Sequence, residues 1–474
     1  MGWKNAEQGQ REEGAFGLIA EKMRREGLPD QVVEQFRSYY GMLADSRESV
    51  GVIPEDTILP VSEGDLPSQE DLGEEQERIG REHLRQTVMI KLNGGLGTSM
   101  GMPFAKSLLT ARSGYTFLDI IRLQARTMNI PLLFMDSFHT RRDTAEYWKR
   151  RGISPEDQPR SFVQHKFPKL YPELEPASCP KRPELEWNPP GHGDIFAALE
   201  TSGVLDELLE QGMRYAFMSN SDNLGAAVAP DILGYMVQQG SFFLMEVADR
   251  YPRDKKGGHL ALSPEGHFLL REIAQCPEEE LDRFQDVTRH RFFNTNNIWI
   301  DLERLKAFIR ENGLPRLPLI VNPKHLDPRD ESTPRVLQLE TAMGAGINTF
   351  PDSSALKIPR DRFMPVKKTS DLLAVRSDCF VLDTSYKLNP NPERELPPVH
   401  IDLDGRYYGK VDDFEARFPH GPPSLLSCES LNVSGDVLFR ENVRCTGRVE
   451  VVNHSSSQQE VPAGSELSGR TDLS

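Results

Sequence analysis

From Thr87 to about Leu382 short apolar runs alternate with stretches of helical periodicity, and this alternation restricts the fold more than any other feature of the chain. The runs are Val88 to Leu92, Leu132 to Met135, Tyr215 to Ser219, Phe242 to Val247 and Ile298 to Ile300. Between them lie amphipathic stretches, Phe117 to Ala125, Ala145 to Arg151 and Ile195 to Glu210. Such an alternation predicts an α/β domain with a mostly parallel sheet covered by helices. In such sheets ligands collect at the carboxyl ends of the strands, so chemistry is sought in the loops just after these runs.

The flanks read differently. Residues 1 to about 50 are predicted helical, since Phe16, Leu18, Ile19 and Met23, then Val32, Val33, Phe36, Tyr39, Tyr40 and Leu43, recur near helical spacing. Eight acidic residues from Glu63 to Glu82, with Gly64, Pro67 and Gly73 among them, suit a solvated connector or an exposed helix. Pro390, Pro392, Pro397 and Pro398 mark a second boundary, after which β-rich segments from Leu431 to Val452, broken by Gly435 and Gly447, read as stacked β-helix coils. The expected division is a helical segment with an acidic linker over 1–85, the α/β domain over 86–388 and a β-coil domain over 389–474.

Acidic residues outnumber basic ones 72 to 56, and the formal charge of −16 repels a nucleic-acid backbone or an anionic bilayer over most of the surface. Neither nucleic acid nor membrane is therefore an expected partner, whereas a phosphate site built from a few local lysines and backbone amides remains open. No run approaches the ~20 apolar residues of a membrane span, and no N-terminal stretch resembles a signal peptide. The five cysteines include no Cys-x-x-Cys pair and fit reduced thiols, which makes the cytoplasm the expected compartment.

The sharpest local motif is Val88-Met-Ile-Lys-Leu-Asn-Gly-Gly-Leu-Gly-Thr-Ser-Met-Gly-Met-Pro-Phe-Ala-Lys-Ser, a strand running into a glycine-rich loop. Glycines let the backbone approach a phosphate and aim several N–H groups at it, although a tight turn would use them as well. A Walker A loop needs glycine directly before Lys106-Ser107, where this chain has Ala105. Gly95, Gly97 and Gly101 also miss the G-x-G-x-x-G dinucleotide spacing by one residue.

This loop, with Lys106 nine residues beyond Gly97, resembles the opening signature of sugar-nucleotide pyrophosphorylases, and its Leu-Asn-Gly-Gly-Leu-Gly-Thr-Ser-Met-Gly form looks like the eukaryotic-type UTP:glucose-1-phosphate uridylyltransferase family. Further motifs follow in that family's order: Met135-Asp-Ser-Phe-His-Thr, Gln164-His-Lys-Phe-Pro, Glu186-Trp-Asn-Pro-Pro-Gly-His-Gly-Asp, Ser219-Asn-Ser-Asp-Asn-Leu-Gly, Lys256-Gly-Gly, Phe293-Asn-Thr-Asn-Asn and Pro365-Val-Lys-Lys-Thr-Ser-Asp-Leu-Leu. The resemblance runs from about residue 86 to residue 455. It implies a Rossmann-like, GT-A-like nucleotidyltransferase domain with a small C-terminal left-handed β-helix-like domain. It also implies transfer of uridylyl from UTP to glucose 1-phosphate, with Mg²⁺ as cofactor.

By that resemblance Leu92, Asn93, Gly94 and Gly95 line the uracil and phosphates, Lys106 neutralises the UTP phosphates, Gln164 bonds the uracil and Gly191 packs beside the nucleotide. His192 meets the sugar phosphate, which Gly94 and Gly95 also approach; Asn220, Ser221, Asp222, Asn294 and Asn296 serve the sugar side. Asp222 is the implied metal ligand and also touches UTP, and Lys367 is the implied lysine at the α-phosphate, with Lys368 incidental. Plain alternatives stand beside these roles. Asp222 could cap a helix, Pro189-Pro190-Gly191 could be only a turn, Gln164 a surface amide, the Asn-Thr-Asn-Asn segment a turn, and Lys367-Lys368 a pair of solvated charges.

In-line attack of a sugar phosphate on the α-phosphorus of UTP joins two anions, so it needs neutralisation and alignment more than a protein nucleophile. No Gly-x-Ser-x-Gly elbow or HExxH pattern points to a hydrolase. The chain departs from the resembled family at Phe104-Ala105, where Gly-Pro is usual, and its C-terminal segment reads as shorter than that family's β-helix end; a homo-oligomer through that domain is an open expectation, and no oligomeric state is carried over from the resemblance. An N-acetylglucosamine branch carries an Arg in the loop, and Thr98-Ser99-Met100 has none; a noncatalytic relative would be expected to lack Lys106, Asp222 or Lys367. Every implied ligand lies upstream of Asn389, so the tail reads as an accessory.

Overall fold

The computed structural model describes the backbone of residues 2–45 and 51–474, and their side chains apart from 2–13 and Ser99. Each apolar run becomes a strand of one ten-stranded sheet. Nine of its segments position the site: β1 (Thr87–Asn93), β2 (Leu132–Asp136), β3 (Arg160–Val163), β4 (Tyr215–Asn220), β5 (Phe243–Asp249), β6 (His259–Leu262), β7 (Phe268–Arg271), β8 (Phe292–Asp301) and β9 (Ser353–Lys357). In space the order is β3-β2-β1-β4-β8-β5-β9, parallel throughout except for β8, which runs against both neighbours. The short Ile298 to Ile300 run is thus the middle of a ten-residue strand. Its polar first half, Asn-Thr-Asn-Asn, concealed the length, and these asparagines sit on the strand rather than in a turn.

Side chains alternate across the sheet and feed two cores. Val88, Ile90, Leu133, Met135, Ala216 and Met218 face one core with helices α1 (Gly2–Arg25) and α2 (Asp30–Asp45). Met89, Leu132, Phe134, Tyr215 and Phe217 face the other.

Helix α3 (Glu74–His83) lies in the acidic connector, which is more than a solvated link. Its acidic residues Glu74 and Glu75 are exposed, but Gly80 presses on the Pro230 carbonyl of a second helix whose Gly234 presses on Gln76. A Cβ at Gly80 would lie 1.6 Å from that oxygen, so two glycines permit a backbone-to-backbone docking that composition does not reveal. In the main domain α4 (Phe117–Met128) and α5 (Arg141–Arg150) follow β1 and β2. The single helix expected over Ile195 to Glu210 is two, α6 (Ile195–Thr201) and α7 (Val204–Glu210), broken where Gly203 takes a left-handed φ of 77°. The helix that meets α3 is α8 (Pro230–Gln239). Last in the domain come α9 (Leu302–Asn312) and α10 (Thr369–Arg376).

Beyond Asn389 the chain stacks four parallel strands, β10 (His400–Leu403), β11 (Ser424–Ser434), β12 (Arg444–Asn453) and β13 (Glu466–Leu473), with bulges in the β11–β12 and β12–β13 pairings. A second parallel pair, Val437–Phe439 with Gln459–Val461, closes the coils. The β-coil reading therefore extends over more turns than Leu431 to Val452 alone showed.

Candidate active site

Register gathers the motifs. Asn93 of β1 stands opposite Asp136 of β2, Asp136 opposite Val163 of β3, and Leu92 opposite Asn220 of β4. The residues that follow, Gly94, Ser137, Gln164 and Ser221-Asp222, therefore emerge on one edge of the sheet. Antiparallel β8 enters the sheet at that same edge, which brings Asn294 and Asn296 beside the β4 end.

The glycine loop is fixed from below. Asn93 is buried; its amide donates to Asp136 Oδ1 at 2.7 Å and Thr144 Oγ1 at 2.9 Å, while its Oδ1 accepts from Ser107. Ser137 Oγ donates to the Gly94 carbonyl at 2.9 Å. Gln164 is 7% exposed and lies over the loop, with Nε2 3.1 Å from where a Cβ on Gly94 would stand. It is thus a buried amide and not a surface one. Lys106 reaches across to Asp222, Nζ to Oδ2 2.6 Å, so two residues 116 apart in sequence meet as an ion pair.

Asp222 caps no helix, because the next one begins only at Pro230. Its backbone carbonyl accepts from the Val366 amide at 3.1 Å, and Asn223 bridges to Pro365, so the loop after β4 is zipped to the segment that carries Lys367. Lys367 and Lys368 both donate their backbone N–H to Asp371 Oδ2 at 2.8 Å, and both side chains are exposed. Burial raises the Glu272 carboxyl above its ordinary range, and the charge of Lys367 works against that rise. Glu272 lies outside every motif of the sequence. The signal was the Gly257-Gly258 pair of the Lys256 motif, since a Cβ at Gly258 would lie 2.5 Å from the Glu272 carboxyl carbon. Lys256 itself is exposed.

A second group is tied to the first by a histidine. His165, next to Gln164, bonds Asp194 from its amide at 2.6 Å and from Nδ1 at 2.9 Å. Burial works against protonation there, but the Asp194 carboxylate outweighs it and raises His165 above its ordinary value. Asp194 belongs to the Gly191-His192-Gly193-Asp194 turn. Gly191 has φ 78°, and a Cβ on it would stand 2.3 Å from the Thr341 carbonyl oxygen, so only glycine fits this approach. The Met343 N–H donates to His192 Nδ1 at 2.8 Å, which places the ring proton on Nε2. Burial pushes His192 down to about 4, so at neutral pH it is an uncharged Nε2–H donor.

Asn294 and Asn296 bond each other, Asn294 Nδ2 to Asn296 Oδ1 at 2.8 Å, at the bulge where β5 slips against β8. Asn296 takes a left-handed φ of 58°.

Among the described residues no three His, Cys, Asp or Glu side chains converge on a metal site of their own. Asp222 nevertheless fits a shared one: its Oδ1 is buried without a hydrogen-bond partner, a hard oxygen with a free coordination position. The edge thus assembles a backbone cradle, a lysine beside a carboxylate, a neutral histidine donor and paired amides, suited to aligning two phosphorylated ligands.

A family model of UTP–glucose-1-phosphate uridylyltransferase matches residues 33–446. The UTP–glucose-1-phosphate uridylyltransferase of Hordeum vulgare is 40% identical over 428 residues, covering 88% of this chain and 86% of its own. That of Saccharomyces cerevisiae is 38% identical over 421 residues, covering 87% and 82%. A mutant UDP-glucose pyrophosphorylase of Leishmania major, solved in complex with UDP-glucose, superposes with a TM-score of 0.90 at 38% identity over 97% of this chain and 99% of that one.

Proposed function

The chain belongs to the UTP–glucose-1-phosphate uridylyltransferase family, and we propose from that premise how its residues divide the work. It transfers uridylyl from UTP to glucose 1-phosphate, giving UDP-glucose and pyrophosphate. The observation that carries the assignment of roles is the meeting of Lys106, Asp222 and the Lys367 segment at the edge where β1 and β4 end.

In this reading Gln164 and the Leu92 to Gly95 backbone receive the uracil. A buried amide presents a donor and an acceptor in fixed positions, and a base with the reverse pattern leaves both unmet. Asp222 holds Mg²⁺, which when bound screens the triphosphate charge. Lys106, paired with Asp222 while no nucleotide is present, turns its ammonium to the phosphate oxygens. Lys367 approaches the α-phosphate from the facing segment, where charge builds during transfer. On the acceptor side His192 donates its Nε2–H to the sugar phosphate without adding a charge that titrates near neutrality. Gly191 keeps the backbone close to the nucleotide, and Asn220, Ser221, Asn294 and Asn296, with Glu272, offer hydrogen bonds to glucose hydroxyls.

The cytoplasm is the compartment proposed from the cysteine pattern of the sequence; no described helix is long and apolar enough to cross a membrane. Strand β13 stands at the open edge of the coil stack, the place where a homo-oligomer through the C-terminal domain would form; sedimentation of the purified chain tests this.

The function is tested with UTP, Mg²⁺ and a panel of sugar 1-phosphates, pyrophosphate being measured. Glucose 1-phosphate is expected to give the highest turnover. Equal or faster turnover of galactose 1-phosphate or N-acetylglucosamine 1-phosphate would replace the substrate assignment, and no turnover of any would make the chain a noncatalytic binder. Asp222→Ala should need far more Mg²⁺ for half-maximal turnover.

A further inference from the structure

The loop that presents Asp222 is held by its own carbonyls. Gln124 Nε2 donates to the Leu224 carbonyl at 3.3 Å, Lys91 Nζ to that of Ala226 at 2.5 Å, and Arg362 Nη2 to that of Ala227 at 3.0 Å. Arg362 is anchored in turn on Glu246, Nη2 to Oε1 2.7 Å, so its charge is matched inside the core. Among the described residues no carboxylate is bonded to Lys91. It sits on β1 two residues before Asn93, is fully buried, and donates also to Ser219 Oγ at 2.6 Å, its register partner on β4. Burial, and after it the Arg362 guanidinium, push the ammonium down to about 7, against the pull of Glu246 and Asp222.

An amine in this position is costly, and a methionine of similar length would fill the same space between two strands. What the amine adds is a pair of donors that reach over the end of β4 and pin the returning loop. Its two acceptors lie on either side of Asp222, three residues before it and four after it. Lys91, itself on the strand of the nucleotide loop, is thereby joined to the strand that leads to Asp222 and to the turn that follows it.

We propose that Lys91 is a positioning residue which, by tying β1, β4 and the Ala226 carbonyl together, sets the Asp222 carboxylate against the Asn93 to Gly95 loop and so governs how tightly the site holds a divalent cation with nucleotide. This rests on Asp222 being the metal ligand. Residues that orient a ligand from behind typically carry 10- to 100-fold in metal affinity or activity, so an effect of roughly that size is expected.

The test follows Mn²⁺ by electron paramagnetic resonance, where bound ion leaves the free signal, with an α,β-methylene analogue of UTP present. Lys91→Met should raise the Mn²⁺ dissociation constant by ~10- to 100-fold and shift the metal dependence of turnover by the same factor. Asp222→Asn should remove most Mn²⁺ binding, and adding Lys91→Met to it should change nothing further. If Asp222→Asn binds Mn²⁺ as the parent does, the metal role of Asp222 fails and this inference with it. If Asp222→Asn loses Mn²⁺ while Lys91→Met keeps it, the inference about Lys91 alone is overturned, whatever the melting temperature. Should Lys91→Met not fold, Ser219→Ala removes one of the two acceptors and is expected to weaken Mn²⁺ by roughly 3-fold, the low end of the net contribution of one hydrogen bond; unchanged affinity there overturns the inference as well.

Discussion

Lys367 and Lys368 share their backbone partner, Asp371, yet only Lys367 is close enough to Glu272 to depress its carboxyl. A donor aimed at charge that develops in the transition state is worth roughly 10²- to 10³-fold in rate. Lys367→Ala should lower kcat by about that factor in a protein with unchanged circular dichroism. Lys368→Ala should cost less than ~10-fold, because an exposed charge further away is screened, and the reverse ranking would put the register of this motif one residue out. Asp136 allows a second test at this scale. Burial, opposed by bonds from Asn93 and Thr144, pushes its carboxyl up to about 6 from an ordinary 3.8. Because the folded value is the higher one, the stability it contributes is complete below 3.8 and lost as pH rises to about 6. Asp136→Asn lacks this loss and should be more stable than the parent above pH 6, by on the order of 3 kcal/mol, the two converging near pH 4 in urea unfolding curves. Equal pH dependence in both would mean that Asp136 is not buried as described. The residues read from sequence were those within recognisable motifs. Lys91 lies inside one, but its contacts are with Ser219 and Ala226, more than a hundred residues away, and no local pattern carries them.

Elements were legible where one period dominates. The runs at Val88, Leu132 and Tyr215 lie wholly inside the sheet and became β1, β2 and β4 within a residue at each end. The acidic connector was not, because the residues that dock α3 are glycines, which carry no hydrophobic period. Gly80 and Gly234 let two helix backbones touch, and that contact steadies α8, the helix entered directly from the Asp222 loop. Gly80→Ala should therefore destabilise by about 2 kcal/mol, in the range found for overpacked interfaces. Gly64→Ala, with open space around it, should stay within about 0.5 kcal/mol of the parent. Thermal melts of the two variants give the comparison, and similar melting temperatures would show that α3 is a loosely attached linker after all. The break between α6 and α7 has the opposite cause: the apolar pattern continues through it, and Gly203 alone interrupts the backbone.

At the scale of the whole molecule, the sequence separates a tail without ligands from a domain that holds them all, and packing joins them. Tyr408, Phe414, Leu425 and Cys428 of the tail belong to the same core as Leu372, Val375 and Cys379 of the domain. Thr369 Oγ1 donates to the Tyr408 carbonyl at 2.7 Å, and Arg376 bonds Glu415 at 2.7 Å. Lys410 lays its methylenes on the glycine loop, with Cγ 3.0 Å from where a Cβ on Gly101 would be. A chain ending at Asn389 would expose that shared core, so it should aggregate instead of binding UTP as a free-standing domain, although no proposed ligand has been removed. Lys410→Ala isolates the support of the loop from the support of the fold. Losing packed methylenes at about 0.8 kcal/mol each would loosen the loop that carries Lys106, so KM for UTP should rise roughly 3- to 10-fold. The Lys410 ammonium lies outside the shared core and the melting temperature should move little. An unchanged KM in Lys410→Ala, together with a soluble truncated chain that binds UTP like the parent, would return the tail to the accessory role that its lack of ligands suggests.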